Sequence, residues 1–246
     1  MFRYQLLIEY LGTNYKGWQI QKKNKTIQGI LQDKIRKLLK ENITIVGSGR
    51  TDAGVHAIEQ SAHFDLKNKL LNLDKFINSI NHFLKNENIT ILKIRKRTNN
   101  FHSRFSAKKR VYKYFILNRT SSPVIEKNQV WHVRKKLDLD LMKLGAKKLV
   151  GTKDFSTFRA SSCNAKSPIR TMDFVKLKSL NDKIEIHFKS QSFLQQQVRS
   201  MVGCLKYLGE KKWDLKKFDK ALKSKKRSLC APPAPPTGLF LSRVFY

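Results

Sequence analysis

One glycine-rich loop, Gly47-Ser48-Gly49-Arg50-Thr51-Asp52-Ala53-Gly54-Val55-His56-Ala57, follows the short β-type run Ile43-Thr44-Ile45-Val46. Its spacing excludes two large α/β classes. The Gly-Lys-Ser/Thr ending with which a P-loop holds phosphate is missing. The glycines also do not fall at the positions that open a dinucleotide-binding sheet. What the loop does offer is backbone freedom and close approach around a single acidic group, Asp52, beside Arg50. Two readings follow. Asp52 can be a turn residue, since Asp before Ala-Gly closes a turn without any chemistry. It can also be a catalytic carboxylate presented to a polyanion.

Charge favours the second reading. The 246 residues carry 51 Lys and Arg against 18 Asp and Glu, a formal net charge of +33. That imbalance calls for a polyanionic partner, and nucleic acid is the expected one. With 40% hydrophobic residues the chain can still bury a core, so it is no disordered basic tail. Cys163, Cys204 and Cys230 show no ligand spacing, so no metal site is expected. Their sparse, odd number points to a reducing compartment. Met1-Phe2-Arg3 runs into a strand-like segment without a signal-peptide apolar region, so a cytoplasmic protein is expected. No apolar run approaches about 18 residues, so no membrane span is expected.

The hydrophobic period then sets the elements. Tyr4 to Tyr10 alternates as a strand, and Ile43 to Val46, Gln60 to Leu66 and Ile89 to Ile94 read as further strands. Thr26 caps a helix whose stripe is Ile27, Ile30, Leu31, Ile35, Leu38 and Leu39. Leu73 to Leu84 reads as a second helix. Between the first strand and helix lies Tyr15-Lys16-Gly17-Trp18-Gln19, an exposed-looking cluster whose Trp18 either stacks bases or plugs the core. In the second half, Val111 to Leu117 is a strand with Tyr112, Tyr114 and Ile116 on one face. A helix over Leu139 to Val150 turns Leu141, Leu144 and Leu149 inward, with Gly145 on the same face. A hairpin joins Met172–Lys178 to Lys183–Phe188. Phe193, Leu194, Val198, Met201, Val202 and Leu205 form a helical stripe with Arg199 at its edge. Leu215, Phe218 and Leu222 follow Asp214 in a short helix. Pro232 to Pro236 is a stiff connection into a last strand, Gly238 to Tyr246.

This order predicts the α+β class. The expected architecture is two ferredoxin-like, RRM-like α/β subdomains, residues 1–105 and 106–246. Their sheets would join into one extended, mainly antiparallel sheet, with helices on one side and a basic cleft between the halves.

Five stretches together resemble one family. Gly49-Arg50-Thr51-Asp52-Ala53-Gly54-Val55-His56-Ala57 is similar to the signature loop of the tRNA pseudouridine synthase A family. Tyr15-Lys16-Gly17-Trp18-Gln19 resembles its N-terminal segment. Phe101-His102-Ser103-Arg104-Phe105-Ser106-Ala107 with Tyr112-Lys113-Tyr114 resembles its central motif. Phe193-Leu194-Gln195-Gln196-Gln197-Val198-Arg199 with Met201-Val202-Gly203 resembles its helix motif, and Gly238-Leu239-Phe240-Leu241 its last strand. Gln195 and Gln196 depart from the bulkier or histidine side chains common there.

The resemblance implies a homodimer that needs no cofactor and isomerises uridine to pseudouridine in the anticodon stem-loop of tRNA. At about positions 38 to 40 the target base must leave its stack. It also implies that Asp52 is the essential nucleophile, Arg199 its ion-pair partner and Arg50 the group that aids base extrusion. Tyr112 would stack on the uracil and stands as a candidate to take the C5 proton. Phe193, His56, Arg104, Lys109 and Arg110 complete the expected substrate contacts. The residues alone leave alternatives open. Arg199 can be a helix-flank phosphate contact, Tyr112 a sheet-core tyrosine, and His56 and His102 structural groups. A non-catalytic RNA-binding protein of the same fold would need no carboxylate in an Arg-Thr-Asp-Ala-Gly frame.

Overall fold

Alternation places strand β1 at Phe2–Tyr10 in the computed structural model, which describes residues 1–246. The first half continues with α1 (Ile27–Leu39), β2 (Val46–Gly47), β3 (His56–Leu66), α2 (Leu73–Leu84) and β4 (Ile89–Arg97). The second half runs β5 (Lys109–Leu117), β6 (Trp131–His132), α3 (Leu139–Leu149), β7 (Gly151–Asp154), β8 (Ile169–Leu180), β9 (Lys183–Ser190), α4 (Gln197–Gly209), α5 (Leu215–Ser224) and β10 (Leu239–Phe245). The class is α+β with mainly antiparallel pairing, as expected. No helix is long and apolar enough to cross a membrane.

The chain forms two compact units, Met1–Lys108 with Phe240–Tyr246, and Lys109–Leu239. These differ from a simple cut at residues 105 and 106. The reason is hydrogen bonding by the chain end. β10 pairs in parallel with β3 through Phe240↔His56 and Leu241↔Ala57. The Tyr246 hydroxyl donates to Ser61 Oγ (2.7 Å) and to the Ser103 carbonyl (2.8 Å).

In the first unit β1 lies between β3 and β4, antiparallel to both. Tyr4, Leu6, Ile8 and Tyr10 all face the core, and Ile27, Leu31 and Ile35 of α1 and Phe76, Ile80 and Leu84 of α2 are buried with them. Each such side chain contributes about 1.5–3 kcal/mol by leaving water. Thr26 caps α1 by accepting from Gly29 N (3.3 Å), and Asn72 caps α2 by accepting from Lys75 N (2.8 Å).

One expectation fails here and one open alternative is decided, each for a physical reason. Ile43 to Ile45 is not a strand, and only Val46–Gly47 pairs with β3. Side chains of α1 take its backbone groups instead. Gln32 Oε1 accepts from Ile45 N (3.1 Å), Gln28 Nε2 donates to the Ile45 carbonyl (2.7 Å) and Arg36 Nε to that of Ile43 (3.0 Å). The aromatic cluster is not exposed. Tyr15 and Trp18 are each 3% accessible, so Trp18 plugs the core beside Tyr10 rather than stacking bases.

In the second unit β9 lies between β5 and β8, with Tyr112↔Phe188 and Tyr114↔Ile186 in register. β7 continues from β8, and β6 runs parallel to β5. Asn181, with φ of 55°, turns the β8–β9 hairpin more tightly than the sequence suggested. Asp138 and Asp214 cap α3 and α5, accepting from Leu141 N (3.0 Å) and Lys217 N (2.7 Å).

The buried face of α3 is rotated from the expected one. It carries Met142, Gly145, Ala146 and Leu149, while Leu144 is exposed. A Cβ on Gly145 would sit 2.3 Å from Leu208 Cδ1, so a larger residue there would force the Leu208 side chain of α4 to move. Phe193 and Leu194 precede α4 instead of belonging to it. The helix opens after Gln196, at φ of 60°, and Gln197 Oε1 accepts from Leu194 N (2.8 Å).

A buried polar knot sits behind β3. His63 Nδ1 lies 2.8 Å from Ser103 Oγ, and that hydroxyl donates to the Val46 carbonyl (2.6 Å). Burial above all, then Arg3 and His102, hold the His63 imidazole down at about 4, with Asp65 opposing. The unfolded chain takes up this proton near 6.5. Between the two values the unfolded state binds more protons, so stability rises with pH across that window and is lost on acidification. The Asp65 and Glu87 carboxyls are lowered, so their losses come at still lower pH. Melts at about pH 7 and pH 5 are therefore expected to differ by several degrees, roughly 1–2 kcal/mol. NMR of the His63 ring should show titration only near the acid end.

Candidate active site

The loop between β2 and β3 is pinned along its length within the first unit. Ser48 N donates to the Ser61 carbonyl (2.7 Å) and Ser48 Oγ to Gln60 Oε1 (2.6 Å). Gln60 Nε2 returns to the Gly49 carbonyl (3.1 Å). Thr51 is held at two points: its hydroxyl lies 2.9 Å from the buried Tyr10 hydroxyl, and its carbonyl accepts from Trp18 N (3.1 Å). Asp52 opens a turn, its carbonyl accepting from Val55 N (3.2 Å). Gly54 sits in that turn at φ of 77°, as a third turn position with positive φ requires. Gly54 N donates to the Tyr15 carbonyl (3.3 Å).

Gly17, at φ of 91°, makes the brace close. A Cβ there would meet the Thr51 carbonyl oxygen at 2.6 Å. Asp52 is thus a turn residue and also a half-buried side chain on a rigid frame, with exposed Arg50 two positions earlier. Those two readings of Asp52 are compatible. The Tyr15 hydroxyl, anchored to Glu87, which also pairs with Lys25 (2.6 Å), steadies the brace from behind. Burial and then Glu87 push that phenol up.

His56 is a strut. It is fully buried, its Nδ1 accepts from Gly12 N (2.9 Å), and its ring stacks on Phe240 at 4.5 Å. With no surface to offer, it is not the substrate contact expected from the sequence. In the same unit His102 Nδ1 accepts from Arg104 N (3.1 Å) and Phe105 N (3.2 Å). Phe105 beside them is 76% accessible, with the Arg104 guanidinium 5.5 Å over its ring. Arg104 and Phe105 make an exposed cation–aromatic pair, of which the sequence reading singled out only Arg104.

The second unit supplies the other expected groups. Tyr112 on β5 is half-buried, and its ring meets Phe193 edge-on, 5.0 Å away at 83°. Tyr114, two residues on, is fully buried and donates to the Pro235 carbonyl (2.8 Å). Burial raises its phenol strongly, against the opposing charge of Arg199. Arg199, at the start of α4, is tied to the proline segment. Its Nε donates to the Ala234 carbonyl (2.7 Å), and its own carbonyl accepts from Ala234 N (2.9 Å). Lys109 pairs with Asp173 (2.7 Å), and Arg110 donates to the Gln191 carbonyl (2.5 Å).

The family model described as tRNA pseudouridine synthase matches residues 6–106 and 146–246. The chain belongs to the tRNA pseudouridine synthase family. It is 67% identical over all 246 residues to the tRNA pseudouridine synthase A of Pelagibacter ubique, covering 100% of both chains. It is 42% identical to that of Parvibaculum lavamentivorans and 43% identical to that of Rhodopseudomonas palustris, again over 100% of each. The enzyme is accordingly an isomerase that acts on uridine in tRNA.

Sequence reading alone missed Tyr10 and Thr51 as a pair. Tyr10 looked like one more strand-face residue, and no local signal points it at a loop far along the chain. In this synthase, Tyr10→Phe keeps the ring and removes only the hydroxyl that holds Thr51. If the loop carries the reactive carboxylate, kcat is expected to fall about tenfold with KM nearly unchanged, the cost of a small misplacement. Thr51→Ser should stay near wild type, and Tyr10→Phe with Thr51→Val should be no worse than the poorer single variant. Steady-state kinetics on tRNA transcripts checks all three.

Proposed function

We propose that this synthase modifies uridines of the tRNA anticodon stem-loop, with Asp52 as the nucleophile acting on a flipped-out uridine. The target lies at about positions 38 to 40, inside a stack the base must leave before reaction. The observation that best supports the reading is the half-buried Asp52 on a loop braced by Tyr10, Gly17 and Trp18. A turn without chemistry needs no such frame.

The reaction breaks the bond between ribose C1′ and uracil N1, turns the base and joins C1′ to C5. The C5 proton leaves and N1 gains one, so uridine and pseudouridine are isomers and no electrons are exchanged. One carboxylate suffices as nucleophile. Arg199 is proposed as the guanidinium that pairs with Asp52 and favours its ionised form. Arg50, exposed on the same loop, is proposed to help push the base out. Tyr112 and Phe193 offer a half-open aromatic corner against which a flat uracil can stack. Tyr112 is also proposed to relay the C5 proton, its hydroxyl oxygen taking that proton as it gives up its own to solvent, because a phenol with an ordinary pKa of about 10 is neutral at the start. Arg104, Lys109 and Arg110 are proposed to meet the phosphate backbone, where A-form RNA is most accessible. The same reading takes the enzyme as a cytoplasmic homodimer that works without a cofactor, following the family resemblance.

Asp52→Asn tests it. Loss on the order of 1,000-fold or more in kcat is expected, with tRNA affinity within a few-fold because phosphate contacts dominate binding. Near-wild-type turnover would refute the nucleophile. Mapping pseudouridine in unmodified transcripts incubated with pure enzyme should place it in the anticodon stem-loop. Product in another arm would refute that target.

A further inference from the structure

Two of the three cysteines meet in the second unit, although they stand 26 positions apart in the chain. Cys204 Sγ and Cys230 Sγ are 3.5 Å apart. Cys204 is on α4 and fully buried, whereas Cys230 follows the one-turn helix Arg227–Leu229 and is partly accessible. Nothing in uridine isomerisation uses a thiol, so this pair lies outside that chemistry.

We propose that Cys204 and Cys230 form an oxidisable dithiol, which peroxide converts into a reversible disulfide between α4 and the segment 230–234. The sulfurs need to close by only about 1.5 Å to reach bonding distance. The two backbones already touch: a Cβ on Gly203 would lie 2.1 Å from the Pro232 carbonyl oxygen. Arg199 and Ala234 join the same two segments by hydrogen bonds in both directions. The bridge therefore ties together parts that are packed in the reduced protein and needs no change of fold.

The geometry also assigns the order of events. Cys230 is the sulfur that oxidant can reach. The Cys204 thiol beside it, helped by Arg227, draws the Cys230 thiol down despite burial. The same contact and burial push Cys204 up. Only the thiolate attacks peroxide. In that attack the S–O bond forms, the O–O bond breaks and hydroxide leaves, giving a sulfenic acid on Cys230. Cys204 then attacks the Cys230 sulfur. The S–S bond forms, the S–O bond breaks, and hydroxide departs with the Cys204 proton as water. Two thiols lose two electrons, and one peroxide becomes two waters. A reduced thiol such as dithiothreitol reverses the step by exchange.

The test uses the full-length reduced protein treated with hydrogen peroxide, then digested without reductant and analysed by mass spectrometry. A Cys204–Cys230 cross-linked peptide is expected in wild type and in Cys163→Ser. Neither Cys204→Ala nor Cys230→Ser should form it, and Cys204→Ala should instead leave a dimedone-reactive Cys230. Closing a loop of this length should raise the melting temperature by about 5 °C, reversibly with dithiothreitol. A bridge to Cys163, or sulfinic acid on Cys230 with Cys204 still a free thiol, would overturn the proposal. So would a cross-link that lowers the melting temperature.

Discussion

The contact between the start of the chain and the loop at residues 49–55 is the constraint on which the placement of Asp52 rests. A carboxylate can be presented reproducibly only if its backbone has nowhere else to go. Gly17 leaves no room for a Cβ against the Thr51 carbonyl, while Trp18 N and the Tyr10 hydroxyl hold Thr51 from two sides. Asp52 lies one residue beyond this clamp, and Gly54 closes the turn after it. Rigidity on one side of the aspartate and a tight turn on the other restrict where its side chain can point. Loops are ordinarily the mobile part of a fold, and here the N-terminal segment removes that mobility.

The second unit solves a similar problem for a cation. An arginine at a helix start is flexible unless something fixes its stem, and the Ala234 carbonyl does so. The proline segment that carries Ala234 is fixed in turn by the Tyr114 hydroxyl at Pro235. Stiff residues restrict the conformations that segment can sample. Its position is thus set by the sheet through Tyr114 and by α4 through the Arg199–Ala234 bonds. The thiol pair at Cys204 and Cys230 belongs to this same joint.

Charge works at two levels. Many of the scarce acids are engaged in ion pairs that orient basic side chains, among them Arg3 with Asp65, Lys109 with Asp173 and Lys113 with Glu185. Partly exposed pairs of this kind add little stability, and their more evident effect is geometric. The large surplus of lysine and arginine remains as a field that attracts RNA regardless of sequence.

Much of the fold was legible in the chain because hydrophobic period is a local property. Every α-helix was placed to within a few residues, and the four α-helices opened by Thr26, Asn72, Asp138 or Asp214 all carry a capping side chain. The loop around Asp52 announced itself by composition, and the family resemblance by the order of motifs. What local pattern could not carry was competition between distant groups. Ile43 to Ile45 has strand composition, yet glutamine and arginine from α1 claim its backbone. Trp18 looks exposed beside lysine and glycine, yet it fills the core. His56 reads as a site residue but is a buried strut, and α3 buries Met142 and Ala146 while Leu144 stays exposed, a rotation that the period of its leucines does not announce. The last strand crosses back to the first unit since its partner, β3, was laid down much earlier. Residue types and their spacing are enough to decide which segments are helix or strand and what chemistry the chain can perform. Which side chains brace the loop around Asp52, and which cysteines meet, depends on contacts between residues far apart in sequence, and only packing in three dimensions can choose among those.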